Sequence, residues 1–179
     1  MGKVVLRSGE HERAENLCQE ALGLSSQVAD KWGIGLAHSG FGGVAWARRD
    51  YGKAADALKQ ALVAFRDVGS RDRVAECLQD LASLSRQVGS LEQSVRLSAC
   101  AETVQHASRL ALWPAVQAQR DEEMAAARAS LGNAAFEMAW SRGRSMNTDQ
   151  AIDDALTAPE TGGRRKPTER SSAMPNTST

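Results

Sequence analysis

The sequence contains few aromatic residues: Phe, Trp and Tyr together account for 4% of 179 residues. Alanine and leucine must therefore fill most of the core, and small side chains favour closely packed helices over a sheet. Hydrophobic residues make up 42% and charged residues 25%, as in an ordinary soluble domain. The chain is long enough for one domain with its own core. We therefore expect an all-α protein.

The chain has no excess of charge, with 22 basic and 22 acidic residues. This balance gives no electrostatic reason to expect direct contact with a nucleic-acid backbone. No apolar run is long enough to cross a bilayer, and the first ten residues contain no apolar segment of signal-peptide length. We therefore expect a cytoplasmic protein that contacts neither membrane nor nucleic acid.

Cysteine is scarce and its spacing carries no motif. Cys18, Cys77 and Cys100 are odd in number, and no two are separated as in CxxC, so reduced thiols in a cytosolic protein are the simplest interpretation. No pair of His or Cys has the spacing of a zinc site, and nothing around the cysteines indicates an activated thiolate. We expect no metal, no cofactor and no catalytic residue.

The sequence resembles itself at an offset of forty residues. "EHERAENLCQEAL" (10–22) aligns with "DYGKAADALKQAL" (50–62), and "GIGLAHSGFGGVA" (33–45) aligns with "RVAECLQDLASLS" (73–85). Self-similarity at a fixed period of this size predicts a stacked repeat architecture.

Each unit is predicted to be a pair of helices, because its apolar residues recur at steps of three and four. A lone helix pair cannot bury its apolar face, so neighbouring pairs should stack. Gly69 and Gly89 lie where helices should end. Four residues recur at predicted helix starts as N-cap candidates: Asp30, Asp50, Ser70 and Ser90.

The small residues in these helices resemble the pattern of tetratricopeptide repeats. That family places a small residue in its first helix and others twelve and nineteen positions later. The matching triplets are Gly42, Ala54 and Ala61, and Ala82, Ser94 and Ala101. The resemblance implies a tetratricopeptide-like α-solenoid of antiparallel helix hairpins, although a forty-residue period also suits HEAT-like repeats.

The C-terminal third departs from the repeat. A long helix should end near His106, and Pro114 suits the first position of a helix that runs to Leu131. A short helix follows in which Phe136 and Trp140 lie one turn apart, then a loop "SRGRSMNT" (141–148), with Thr148 as N-cap of a last helix. This helical cap completes a domain over 1–157. Residues 158–179 have no helical period and are predicted to be disordered.

The ending resembles that of large bacterial regulators, especially actinobacterial ones. Those proteins combine an ATPase domain with a DNA-binding domain of the LuxR or SARP type and end in a tetratricopeptide-like superhelix. The segments that carry the resemblance are "LSACAE", "AAARASLG" and "AFEMAWSRGRSMNTDQAIDDAL". The resemblance implies that Met1 falls inside a repeat and that the chain is a C-terminal module of such a regulator. It also implies possible binding of sister domains.

One stretch suggests chemistry on first reading. "WGIGLAHSGFGG" (32–43) is glycine-rich, and a glycine-rich loop can hold phosphate. However, no Lys-Ser/Thr pair follows this stretch, no strand precedes it, and its apolar residues keep helical spacing. We therefore predict a helix here, of low stability because glycine is unfavourable in a helix interior. His11 and His38 fall at packing positions, and the carboxylates of "RDEEM" (120–124) point in different directions around a helix.

The tetratricopeptide register implies a groove lined by the first helix of each pair. Its predicted residues are Leu36, Ser39, Gly43, Trp46 and Ala47, followed by Glu76, Gln79, Ser83, Arg86 and Gln87. We expect a non-catalytic module that binds a protein or peptide there, with Trp46 as an anchor. The alternative is a sensor that binds a small inducer in the groove. A homodimer through the N-terminal edge is also plausible, because that edge lacks a neighbour.

Overall fold

A computed structural model describes residues 8–107 and 114–157 of the chain. Within these residues the secondary structure is entirely helical, without strands, so the predicted all-α class is confirmed. The helices are α1 (Ser8–Gln27), α2 (Lys31–Ala47), α3 (Tyr51–Asp67), α4 (Arg71–Gln87), α5 (Leu91–Ala107), α6 (Pro114–Leu131), α7 (Asn133–Ser145) and α8 (Thr148–Thr157). The segments 1–7 and 158–179, and with the latter the predicted disordered tail, lie outside the described residues.

The forty-residue repeat is visible in the helix bounds. Helices α2 to α5 are each 17 residues long. They begin at Lys31, Tyr51, Arg71 and Leu91, so each starts twenty residues after the one before. Consecutive helices pack against each other, most extensively α2 on α3 and α4 on α5. A helix pair therefore recurs every forty residues, as the sequence predicts.

The turns between these helices share one backbone geometry. Each contains a residue with positive φ: 53° at Ala29, 61° at Arg49, 71° at Gly69 and 85° at Gly89. In the third turn the Ser70 N–H donates to the Phe65 carbonyl at 2.9 Å, the six-to-one bond of a Schellman motif. The predicted helix ends at Gly69 and Gly89 are confirmed.

The predicted N-cap residues precede their helices, but not all of them form the side-chain hydrogen bond of a cap. Asp50 accepts a hydrogen bond from the Lys53 backbone N–H at 3.2 Å, as a cap should. Asp30 and Ser70 precede their helices but make no side-chain cap bond. The Ser90 carbonyl accepts the first helical bond of α5, from Ser94, at 3.0 Å.

The main core lies where α3, α4, α5 and α8 meet. Its largest buried side chains include Phe65, Leu62, Leu78, Leu84 and Ile152. Burying an apolar side chain of this size stabilises a fold by about 1.5–3 kcal/mol. The small residues of both predicted triplets are also buried, which lets the helix backbones approach closely.

Helix α8, the last helix in the described residues, packs against this core. It contacts α3, α4 and α5, and Ile152 is completely buried. Its start is a capping box in which Asn147 and Gln150 each accept the other's backbone N–H, at 2.9 and 3.0 Å. The prediction of Thr148 as N-cap is therefore wrong by one residue.

Helix α7 is longer than predicted. The predicted loop over 141–148 is wrong for its first five residues, which continue the helix to Ser145. Gly143 caused the error, because an interior glycine usually weakens a helix. Here it allows close contact, since a Cβ at Gly143 would clash with the Arg96 carbonyl oxygen in α5. The predicted pairing of Phe136 and Trp140 is confirmed, with stacked rings 5.8 Å apart.

Candidate binding surface on helices α2 and α4

The glycine-rich stretch forms the interior of α2, and four of its glycines contact neighbouring helices. Gly35 and Gly42 face α3, where an added Cβ would lie 2.6 Å from the Phe65 ring and 3.0 Å from Leu58 Cγ, respectively. Gly33 and Gly40, also seven residues apart, face Ser25 and Cys18 of α1. These pairs therefore serve helix packing on two sides. The amides of a continuous helix are already hydrogen-bonded, so the phosphate-loop interpretation is rejected.

Helices α2 and α4 share one solvent-facing surface. The guanidinium carbon of Arg73 in α4 lies 5.6 Å from the centroid of the Trp32 ring in α2. One to two turns further on, the Ser39 side chain interacts with the Cys77 thiol. We call the surface of Trp32, Leu36, Ser39, Arg73, Glu76, Gln79 and Asp80 the α2–α4 face.

The α2–α4 face combines apolar and charged side chains. Trp32 and Leu36 are both 40% exposed and lie one turn apart. Glu76 is exposed and pairs with Arg73 at 2.7 Å, while Gln79 is half-buried. Asp80 keeps access to solvent but is surrounded by protein, and this desolvation raises its pKa to about 6. Exposed apolar side chains therefore lie beside charged ones on this face.

Trp46 lies at the other end of α2. Its ring is half-buried, packs against the main core and meets the Tyr51 ring edge-to-face at 5.8 Å. Its contribution to packing is therefore established, whereas its predicted role as partner anchor remains a prediction. Nearby Gly43 faces open space, with nothing within 4 Å of an added Cβ.

Arg86 contacts α6 rather than facing an empty groove. Its guanidinium forms an ion pair with Glu123 at 2.8 Å, and both side chains are largely shielded from solvent. Arg120, one turn earlier in α6, donates to Gln105 of α5 at 2.8 Å, and burial lowers its pKa. Helix α6 thus contacts the C-terminal part of the predicted groove, although Gln87 and the Asp121 and Glu122 carboxylates remain exposed.

The thiols and imidazoles lie in packing environments. Burial raises the pKa of Cys77 to about 12 and that of Cys100 to about 11, and it also raises the pKa of Cys18. His38 is half-buried beside Phe41, and desolvation lowers its pKa. His11 is half-buried as well. These environments agree with the packing positions predicted for both histidines.

The described residues contain neither a candidate metal cluster nor a helix that could span a membrane. Within 8–107 and 114–157, no group of three or more His, Cys, Asp or Glu residues could hold a metal ion. Among the same residues, no helix is both long and apolar enough to cross a membrane.

Sequence reasoning missed two parts of this site. From the sequence, Trp32 is expected to flank a turn and cap the stack, whereas the four-residue step to Leu36 places both residues on one face of α2. Sequence reasoning also missed Arg73, because the register alone gives no sign that a long cation reaches the Trp32 ring. The sequence also predicts that Trp113 flanks a turn and caps the stack, but this residue lies outside the described residues.

The chain is similar to named transcriptional regulators. Proteins named "Putative HTH-type transcriptional regulator" from Mycobacterium bovis and from two strains of Mycobacterium tuberculosis are each 25% identical to it over 167 residues. The alignment covers 93% of this chain but 18% of each relative's length, so the chain corresponds to a small part of such a protein. These distant homologues support a regulatory role.

No protein-family model matches the sequence, and no solved structure matches it either.

Proposed function

We propose that this chain is a non-catalytic, protein-binding module of a bacterial transcriptional regulator. In this proposal its helix pairs form a tetratricopeptide-like solenoid, and the α2–α4 face binds a peptide segment or a sister domain. The similarity to regulators named for a helix-turn-helix motif supports the regulatory setting. The proposal does not extend to DNA binding or to any other activity of those longer proteins.

The solenoid part of the proposal is supported by the small residues at the helix crossings. Ala54 and Ala61 of the first triplet and Ala82 and Ala101 of the second are all fully buried. Gly42 meets Leu58 and the Ala54 carbonyl of α3 at the matching crossing. A larger residue at any of these positions would overpack the contact, so their spacing acts as a structural requirement of the repeat.

The observation that carries the binding proposal is the exposed pair Trp32 and Leu36 beside the charges of α4. Large apolar side chains cost free energy when they face water, and binding a partner would remove that cost. Aromatic and aliphatic anchors surrounded by polar groups are typical of interface centres. We therefore place the anchor of the site at Leu36, with Arg73, Glu76 and Asp80 selecting polar groups on the partner.

The absence of a catalytic role is also part of the proposal. The cations of the surface are engaged, since Arg73 pairs with Glu76 and Arg86 with Glu123. Raised thiol pKa values disfavour a cysteine nucleophile at neutral pH. Both features favour binding over chemistry.

Peptide display tests the proposal directly. A random dodecapeptide library is selected against the full chain, and the dissociation constants of enriched peptides are measured by fluorescence anisotropy. Leu36→Asp places a charge at the anchor and should weaken binding at least tenfold. Met138→Asp is the matched control, because Met138 is an exposed apolar residue on α7, 73% open to solvent.

Equal binding by the wild type and Leu36→Asp would refute the assignment of the site. Failure to enrich any peptide, combined with a thermal shift of the protein by one compound from a metabolite set, would favour the inducer-sensor alternative instead. Trp46→Ala adds a further arm, in which loss of helical content rather than of binding would mark Trp46 as a structural residue.

A further inference from the structure

Helix α6 departs from the packing order of the stack. Helix α4 packs on both α3 and α5, whereas α6 makes limited contact with α5, and α7 packs extensively on α5 instead. Only Ala127 is buried among the 18 residues of α6, all of which lie in the described part of the chain. Helix α6 therefore lies on the outside of the stack.

The C-terminal half of α6 is anchored by apolar contacts. Ala127 belongs to a second hydrophobic cluster with Val95 of α5 and Phe136 of α7. Leu131 packs against the same cluster, and the Arg128 guanidinium carbon lies 4.0 Å from the centroid of the Phe136 ring. These contacts hold the end of α6 next to α7.

The middle of α6 is held by polar contacts. Glu123 pairs with Arg86 of α4 at 2.8 Å, and their side chains are 17% and 23% exposed. Three residues earlier, Arg120 donates to Gln105 of α5 at 2.8 Å. Residues 114–119, which precede these contacts, are all exposed. Ion pairs and hydrogen bonds can be exchanged for bonds to water or to another molecule, so they hold a helix less firmly than an apolar core does.

These polar contacts lie beside the surface that is proposed to bind a partner. Arg86 follows Gln79 by seven residues, or two turns, so it extends the α2–α4 face toward the C-terminal end of α4. Arg120 lies near enough to Asp80 of the same face for their charges to interact. A peptide that continued along α4 would therefore meet α6 at Arg86.

We propose that α6 is an autoinhibitory arm, in which Glu123 occupies the position that an acidic side chain of the partner would take on Arg86. This inference rests on the proposed function and names the chemistry of its partner, a segment with an Asp or Glu that pairs with Arg86. On binding, the middle of α6 separates from α4, while its apolar end stays attached to α7. A partner must displace the closed arm, so the arm lowers the apparent affinity.

Hydrogen exchange tests the arm without any partner. Glu123→Ala removes the ion pair with Arg86, and Glu122→Ala is the matched control, because it removes an equal charge from the neighbouring, exposed position. A detached half-helix of about ten residues is too short to persist in water. Amides of residues 117–123 should therefore exchange about fivefold faster in Glu123→Ala than in the wild type or the control. Unchanged protection of α4 in both variants would show that the fold is retained.

Peptide binding tests the inhibitory role. The dodecapeptide library is selected against the wild type and against Glu123→Ala, and dissociation constants are measured for both proteins by fluorescence anisotropy. Peptides that contain Asp or Glu should bind Glu123→Ala about fivefold more tightly than the wild type or Glu122→Ala. Adding Arg86→Ala to Glu123→Ala should abolish this gain, because the carboxylate of the peptide then loses its cation.

The outcomes distinguish this inference from the proposed function. Unchanged exchange of α6 in Glu123→Ala would overturn the inference, because the ion pair would then not hold the helix. Faster exchange with equal peptide affinities would also overturn it, and would leave the α2–α4 face as a binding site that α6 does not control. Peptides that bind neither protein would refute the binding site and, with it, the inhibitory role.

Discussion

The Phe65 ring of α3 lies directly against the backbone of Gly35 in α2. A Cβ atom at Gly35 would lie 2.6 Å from Phe65 Cε1 and 2.9 Å from two further ring carbons. Trp32 meets the same ring edge-to-face, with centroids 5.5 Å apart. The missing side chain at Gly35 therefore lets a large aromatic residue fill the space between two helices, and it links the core to the α2–α4 face.

This relationship predicts opposite effects for two glycines of one helix. Gly35→Ala should lower the free energy of unfolding by about 1–2 kcal/mol, because Phe65 must shift from its position. Gly43→Ala should raise it by about 1 kcal/mol, because an added methyl group meets nothing within 4 Å and alanine favours the helix. Urea unfolding followed by circular dichroism measures both. Equal stabilisation by both alanines would contradict the close contact.

Gly143→Ala should be more damaging than Gly35→Ala. An added Cβ would collide with the backbone oxygen of Arg96 and lie 2.8 Å from Ala99 Cβ. Backbone cannot rotate away as a side chain can, so we expect a loss of about 3 kcal/mol or separation of α7 from α5. Gly23→Ala is the matched control, since its surroundings are open. A neutral Gly143→Ala would show that α7 does not dock in this way.

The turn geometry predicts one stabilising substitution and one destabilising substitution. Arg49 holds φ at 61°, a conformation that costs a non-glycine residue about 1–2 kcal/mol, so Arg49→Gly should raise the melting temperature. Gly69→Ala imposes the same cost at the equivalent position of the next turn and should lower the melting temperature. Differential scanning calorimetry compares them. A change of the same sign in both variants would argue against the shared turn.

The thiols should react in a fixed order. Cys77 and Cys100 are buried, and their pKa values of about 12 and 11 leave almost no thiolate at pH 8. Cys18 is only half-buried, although its pKa is also raised. Labelling with 5,5′-dithiobis(2-nitrobenzoic acid) should therefore modify Cys18 first, and the other two only after unfolding. Mass spectrometry of digested protein identifies the labelled residue, and early labelling of Cys77 would contradict its burial.

The sequence was sufficient to predict the repeating helices, because spacing at three and four residues and the recurring turn glycines are local signals. Gly69 and Gly89, for example, directly indicate where α3 and α4 end. Gly143 shows where such reasoning fails, because a glycine needed for a close crossing and a glycine that ends a helix look alike until the neighbouring helix is known.

The sequence predicts which positions of α2 and α4 line the candidate surface, but not what packs against them. The offset of forty places Leu36 and Glu76 at equivalent positions, whereas it gives no information on where α6 lies. The pairing of Arg86 with Glu123 joins residues 37 positions apart and depends on how α6 crosses, which no local pattern encodes. The sequence places Trp32 beside a turn and, through the tetratricopeptide register, Trp46 in the groove, whereas their ring partners Phe65 and Tyr51 belong to another helix.

Because α8 crosses α3, α4 and α5, these three helices should resist unfolding more than α1 does. Helices α3 to α5 are clamped by a segment distant in the sequence, so opening any one of them must break long-range contacts. Helix α1 has no such clamp. Fraying should therefore begin at the N-terminal end and spread inward, and backbone amides of α1 should exchange with deuterium well before those of α4.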